Sequence, residues 1–100
     1  MMKFNELKPE TLEKASIMLK AIAHPARIAI ISLLEDGKRQ TVSEIHKKLG
    51  MEQAVASHHL VILKDRGVLS SVREGKNILY YLRNPNFGNM LKNLSDCCQE

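Results

Sequence analysis

The stretch that decides the fold reads Thr41-Val42-Ser43-Glu44-Ile45-His46-Lys47-Lys48-Leu49-Gly50 and continues, after Met51-Glu52, as Gln53-Ala54-Val55-Ala56-Ser57-His58-His59-Leu60-Val61-Ile62-Leu63-Lys64-Asp65-Arg66-Gly67. Thr41 and Glu44 form the pattern of a capping box. A hydroxyl stands at the helix start and a carboxylate at the third helical position, each satisfying an orphaned backbone N–H. A short helix follows, with Val42, Ile45 and Leu49 spaced to face inward. Gly50 ends it, because glycine enters the left-handed conformation without steric cost. A second, longer helix is predicted from about Gln53 to Arg66, ended by Gly67. A short helix, a glycine turn and a longer helix make a helix-turn-helix.

Downstream the apolar period changes from helical to alternating. Val68–Arg73 and Ile78–Arg83 read as strands, rich in β-formers, with Glu74-Gly75-Lys76-Asn77 as the hairpin turn between them. Asn84-Pro85-Asn86 breaks the second strand. A last helix over 86–98 carries Phe87, Met90, Leu91, Leu94 and Cys98 on one stripe. Upstream, Leu12, Ala15, Leu19 and Ile22 recur at helical spacing over 10–23. Pro25 then opens a new helix that is apolar nearly all round through Leu34, as a central helix should be. The predicted fold is mainly α with a small β-hairpin wing, in the order α-α-α-α-β-β-α. It is a winged helix-turn-helix, with the helix-turn-helix at about 42–66 and the wing at about 68–83.

The chain has 100 residues, of which 44% are hydrophobic and 26% charged, so 1–100 is read as one globular domain with a modest core. No run approaches about 18 apolar residues, which argues against a membrane span. The start, Met1-Met2-Lys3-Phe4-Asn5-Glu6, carries no apolar signal-peptide segment, so a cytoplasmic location is expected. Cys97 and Cys98 are adjacent and cannot staple a fold. There is no Ser-His-Asp spacing, no glycine-rich phosphate loop and no recognisable carboxylate pair, so an enzyme is not expected. No cofactor is implied.

The net charge is +4. Between Lys38 and Arg83 there are nine basic and four acidic residues, a surplus of five positive charges, while the remainder of the chain is slightly acidic. A positive segment of this kind suits a polyanion partner. On the long helix, at about 100° per residue, Val55, Ala56, His59, Leu60, Ile62 and Leu63 are expected inward. Gln53, Ala54, Ser57, His58, Val61 and Lys64 are expected outward, Ser57 and Val61 most directly. That outward set suits a major groove. Gln53 can pair with adenine, Ser57 can donate or accept, and Ala54 or Val61 can touch a thymine methyl group. Lys64 can reach phosphate, as can Lys47 and Lys48 at the end of the short helix and Arg73 and Lys76 about the wing tip. The alternatives are an ordinary solvated helix face, lysines that answer their own helix dipole, and wing charges that protect a sheet edge.

The four histidines separate by position. His58 faces outward. His59 lies on the apolar face, where a hydrogen-bonded structural role is expected. His24 precedes Pro25 and reads as a helix-start residue, and His46 as a surface residue of the short helix.

The order and spacing of several short pieces carry a resemblance: Leu19-Lys20-Ala21-Ile22-Ala23-His24-Pro25-Ala26-Arg27-Ile28, Val42-Ser43-Glu44-Ile45, Leu49-Gly50, Ala56-Ser57-His58-His59-Leu60, Gly67-Val68-Leu69, Arg73-Glu74-Gly75-Lys76 and Tyr80-Tyr81. Over roughly residues 12 to 98 the sequence resembles the arsenic-repressor (ArsR/SmtB) family of bacterial winged-helix repressors. The resemblance implies a homodimer through the terminal helices, about 10–23 and 86–98, with Leu12, Leu19, Met90, Leu91 and Leu94 at the interface. It further implies double-stranded operator DNA as partner, often an imperfect inverted repeat, released when an effector binds. A two-fold protein matches a two-fold site.

The chain departs from that family's pattern in places. Glu52 stands where many relatives cap the recognition helix with Ser or Thr. Metal-sensing relatives carry Cys-x-Cys on the short helix, and 41–46 contains no cysteine. Others use Asp and His on the last helix, and 86–98 contains no histidine and one aspartate, Asp96. No metal site is therefore expected. A redox-responsive branch pairs a cysteine on the second helix with one near the chain end. Ser32 occupies the first place, so the usual intrasubunit disulfide cannot form. The expected function is that of a dimeric, sequence-specific DNA-binding repressor released by a non-metal signal; the alternatives are a redox-sensing repressor using Cys97 and Cys98, and a winged-helix protein-interaction module that does not bind specific DNA.

Overall fold

The computed structural model describes residues 7–99, so the polar start Met1–Glu6 lies outside the described residues. Five α-helices and three short strands follow one another: α1 Pro9–Ile22, α2 Pro25–Leu33, β1 Gln40–Thr41, α3 Val42–Leu49, α4 Gln53–Asp65, β2 Leu69–Glu74, β3 Asn77–Leu82 and α5 Asn86–Cys98. A 3-10 turn, Glu35–Gly37, links α2 to β1. No single helix among the described residues is long and apolar enough to cross a membrane.

Sequence chemistry accounts for the boundaries. Pro25 occupies the first turn of α2, where its missing N–H costs nothing. His24 caps that helix, its Nδ1 accepting the Ala26 N–H at 3.1 Å. The break turns the chain by 96° between α1 and α2. The central helix places Ile30, Ile31 and Leu34 at zero exposure, where they meet Ile45, Leu60, Leu63, Val68 and Leu69. In α5, Gly88 lets the helix lie close to the 3-10 turn that follows α2. A Cβ there would sit 3.2 Å from Glu35 Cγ.

The sheet has three strands in the order β1-β3-β2, all antiparallel, rather than the two of the expected hairpin. The added strand is only two residues long, with Gln40 opposite Tyr80 and Thr41 opposite Leu79. Two residues are too few to show an alternating pattern, which is why the sequence concealed it. Gln40 is buried, and its Nε2–H donates to the Leu33 carbonyl at 3.3 Å. The Arg39 guanidinium lies 4.6 Å above the Tyr81 ring, a cation–π contact at the base of the wing.

Candidate nucleic-acid interface

The site begins at Thr41. The Thr41 N–H donates to Glu44 Oε1 at 2.9 Å, and the Glu44 N–H donates to Thr41 Oγ1 at 3.1 Å. The expected capping box is thus complete. The Thr41 N–H first, and then the Thr41 hydroxyl, which donates to Glu44 Oε1 at 3.1 Å, hold the Glu44 carboxyl below its ordinary pKa. At the other end of α3, Gly50 takes φ 65° and ψ 32°, the left-handed stop that its sequence position required. His46 does not stand free. It is half-buried, and its Nδ1 lies 3.1 Å from the Met51 carbonyl, across the turn that leads into α4.

The buried face of α4 consists of Ala56, His59, Leu60 and Leu63. His59, at 7% exposure, has the structural role its position suggested. Arg27 Nε–H of α2 donates to its Nδ1 at 3.1 Å, and Arg27 Nη1 donates to the Ala21 carbonyl at 3.1 Å. The His24 ring lies beside it, with centroids 4.8 Å apart. Accepting from Arg27 requires an unprotonated Nδ1, which leaves the ring proton on Nε2. Burial first, then the charges of Arg27, His24 and His58, push the His59 pKa down.

The opposite face is open. Gln53, Ala54, His58, Val61 and Lys64 are exposed, with Val61 at 52%. Two expectations need correction. Val55, placed inward by the sequence, is 42% exposed, because the core begins one residue later at Ala56. Ser57 is half-buried rather than the most outward residue. The helix is seated through Ala56, His59, Leu60 and Leu63. Ala54, His58 and Val61 then lie within about 30° of the outward direction and Ser57 about 70° from it. Asp65 is exposed on the same outward line. At the front of the helix, Glu52 takes the cap position and makes no side-chain cap bond.

The wing is a tight hairpin. Glu74 pairs with Asn77, and Gly75, at φ 60°, supplies the left-handed first corner. Arg73 and Lys76 are exposed at this tip. Lys47 and Lys48 are exposed in the last turn of α3, where they also answer the helix dipole. Strand β2 packs on α4, so wing and helix-turn-helix share one frame.

The terminal helices leave apolar side chains uncovered: Leu12 at 36%, Leu19 at 55%, Met90 at 36% and Leu94 at 51% exposure. Leu91, expected with them, is only 5% exposed and belongs to the core of its own chain. Cys97 and Cys98 are free and exposed at the end of α5. Ser32 is exposed on α2. Among the described residues no three His, Cys, Asp or Glu side chains group closely enough to hold a metal ion.

Residues 24–71, from the cap of α2 into the first wing strand, match the arsR family of bacterial regulatory proteins. The HTH-type transcriptional regulator YgaV of Escherichia coli (strain K12) is 32% identical over 72 residues, which are 72% of this chain and 73% of that protein. The chain belongs to the ArsR family.

Solved structures agree with this ArsR-family assignment. The crystal structure of the transcriptional repressor PagR of Bacillus anthracis superimposes with a TM-score of 0.79 at 32% identity, covering 87% of this chain and 99% of that one. The homodimeric winged helix-turn-helix DNA-binding domain of Mb0332 from Mycobacterium bovis gives a TM-score of 0.79 at 27% identity, covering 89% of this chain and 82% of that one. The ArsR-family chain is thus a transcriptional regulator built on a winged helix-turn-helix.

Proposed function

We propose that this regulator is a homodimeric repressor that reads an imperfect inverted repeat in double-stranded operator DNA and releases it on a non-metal signal. The observation that carries this reading is the open face of α4. Ala54, His58 and Val61 stand outward with Gln53 and Lys64 at their flanks, on a helix whose other side is locked into the core. Small and apolar groups there suit thymine methyl groups, His58 and Gln53 suit base edges, and Lys64 suits phosphate. Ser57 reaches a base only from the flank of this face. Arg73 and Lys76 on the wing, with Lys47 and Lys48 on α3, supply the contacts to phosphate.

The dimer rests on Leu12, Leu19, Met90 and Leu94. A chain of this size has little reason to leave four large apolar groups open unless a second copy covers them. Each half of a two-fold operator would then receive one α4. A cytoplasmic location follows from this function.

The test is binding of the reduced protein to a duplex from its own upstream region, against a scrambled duplex, with and without mild oxidant. Preference for the upstream duplex supports the reading. Loss of that binding on oxidation makes Cys97 or Cys98 the sensor, and indifference sends the search to small molecules. Failure to bind either duplex at low salt overturns the reading in favour of a protein-interaction module. The uncapped Glu52, a carboxylate at the front of α4, is the feature that favours that second reading.

A further inference from the structure

A groove runs between α1 and the C-terminal end of α4, where Asp65 separates it from the outward line of α4. It consists of two adjoining hollows of about 340 and 280 Å³ that share Ile17 and Arg66. Five cations line them: Lys14, Lys20, Arg27, Arg66 and Arg83. Asp65 is the one acidic side chain on their walls. The floor is apolar, formed by Ile17, Met18, Ala21 and Ile62. Gly67 keeps one end open, since a Cβ there would meet Met18 Cε at 3.1 Å and Arg83 Nη1 at 3.7 Å. A surplus of positive charge over an apolar floor complements one kind of molecule, with an anionic head and an aliphatic body.

We propose that this groove binds a small amphipathic anion, a carboxylate or phosphate monoester on an alkyl chain, and that Arg27 transmits its presence to α4. Arg27 belongs to both structures. Arg27 lines the groove, and its guanidinium bonds the Ala21 carbonyl and, on the buried face of α4, His59 Nδ1. An anion forms a stronger, charge-assisted hydrogen bond with a guanidinium than a neutral imidazole does. A head group seated beside Arg27 therefore draws it from His59, and α4 loses its polar tie to α2 while the core contacts of Leu60 and Leu63 remain. The effect on DNA rests on the repressor reading, whereas binding in the groove does not.

The experiment titrates the full-length protein with decanoate and with decyl phosphate by calorimetry, below their micelle concentrations. Decanol and acetate serve as the chain-only and charge-only controls. At least one of the two anions is expected to bind, decanol and acetate are not, and K14A/R66A is expected to weaken binding by at least about tenfold. Which head group binds more tightly separates a carboxylate from a phosphate ligand. Circular dichroism confirms that the variant is folded. Saturating anion is then expected to lower the affinity for the upstream duplex by about fivefold or more.

Absence of binding by both anions up to about 1 mM, equal binding of decanol, or an unchanged K14A/R66A overturns the site. Binding that leaves duplex affinity intact overturns the coupling. A duplex affinity already lowered in K14A/R66A without any anion assigns these cations to DNA phosphate and overturns the proposal. Calorimetry needs no DNA, so a protein that binds no duplex still tests the groove.

Discussion

Arg27 Nε–H donates to His59 Nδ1 across 3.1 Å, joining α2 to the buried face of α4 by a bond between residues 32 positions apart. The bond requires an uncharged imidazole. The helix that would meet DNA is therefore seated partly by a bond that protonation of one ring breaks.

A pH dependence follows. The unfolded ring takes up a proton near pH 6.5, but in the fold burial and the neighbouring Arg27, His24 and His58 hold its pKa lower. As pH falls, the unfolded state binds the proton first. This contribution to stability is whole above about pH 6.5 and is lost progressively toward the lowered folded value. Urea midpoints are expected to fall between about pH 7.5 and about pH 5.5. His59→Asn, whose Oδ1 can accept from Arg27, is expected to flatten the slope. An unchanged slope in that variant sinks the assignment.

Thr41→Ala removes the hydroxyl of the capping box while leaving the backbone pairing with Leu79 intact. The expected cost is about 1 kcal/mol. Glu44, whose carboxyl is held below its ordinary range, loses its partner hydroxyl in the same variant. Its stabilising charge is present above its unfolded pKa and lost as pH falls through the lower folded one, a window well below that of His59. Chemical denaturation at neutral pH measures the cost, and a difference below about 0.3 kcal/mol would show that the box adds nothing.

Wing and helix are expected to fail differently. Arg73→Ala or Lys76→Ala should weaken binding to every duplex alike and lower the salt slope by about one unit each. Val61→Ala should change the preference among sequences, at a cost of about 1 kcal/mol on the preferred site, and leave the salt slope unchanged. Salt titrations on matched and mutated duplexes separate the two. A Val61→Ala protein with wild-type preference removes Val61 from the reading face.

Leu94 is 51% exposed on α5. Leu94→Glu is expected to give a folded monomer, because a carboxylate cannot be buried unpaired in an apolar interface. Sedimentation reads the mass, and circular dichroism reads the fold. A dimer that survives both Leu94→Glu and Leu19→Glu shows that these helices are not the contact.

Much of the frame was legible because its signals are local. Thr41, Glu44 and Gly50 announce α3 by chemistry that acts within a few residues, and Pro25 does the same for α2. The hairpin was visible because Gly75 lies between two runs of β-formers. Strand β1 was not, since Gln40 and Thr41 become a strand only when Tyr80 and Leu79 arrive beside them. The outward face of α4 was only partly legible. A helical wheel fixes relative angles, but the absolute direction is set by what the helix lies against. That is why Val55 and Ser57 moved. Leu91 changed role for the same reason, since α2 covers one flank of the α5 stripe and leaves Met90 and Leu94 open. The bond from Arg27 to His59 could not be read at all, because nothing in the sequence aims a side chain across 32 residues.

The two residues of β1 also carry a mechanical consequence. Thr41 pairs with Leu79 of the wing and, through the same residue, starts α3. The wing is therefore not an arm on a hinge but one end of a rigid lever whose other end is the helix-turn-helix. Such a body arrives at a duplex with its span already set. It spends little entropy on alignment, but it cannot swing to recover a contact once the spacing of the two grooves is wrong. Stretching or compressing the DNA between the parts gripped by wing and helix should then cost the protein both grips together, so that the geometry of the duplex itself becomes part of what is recognised.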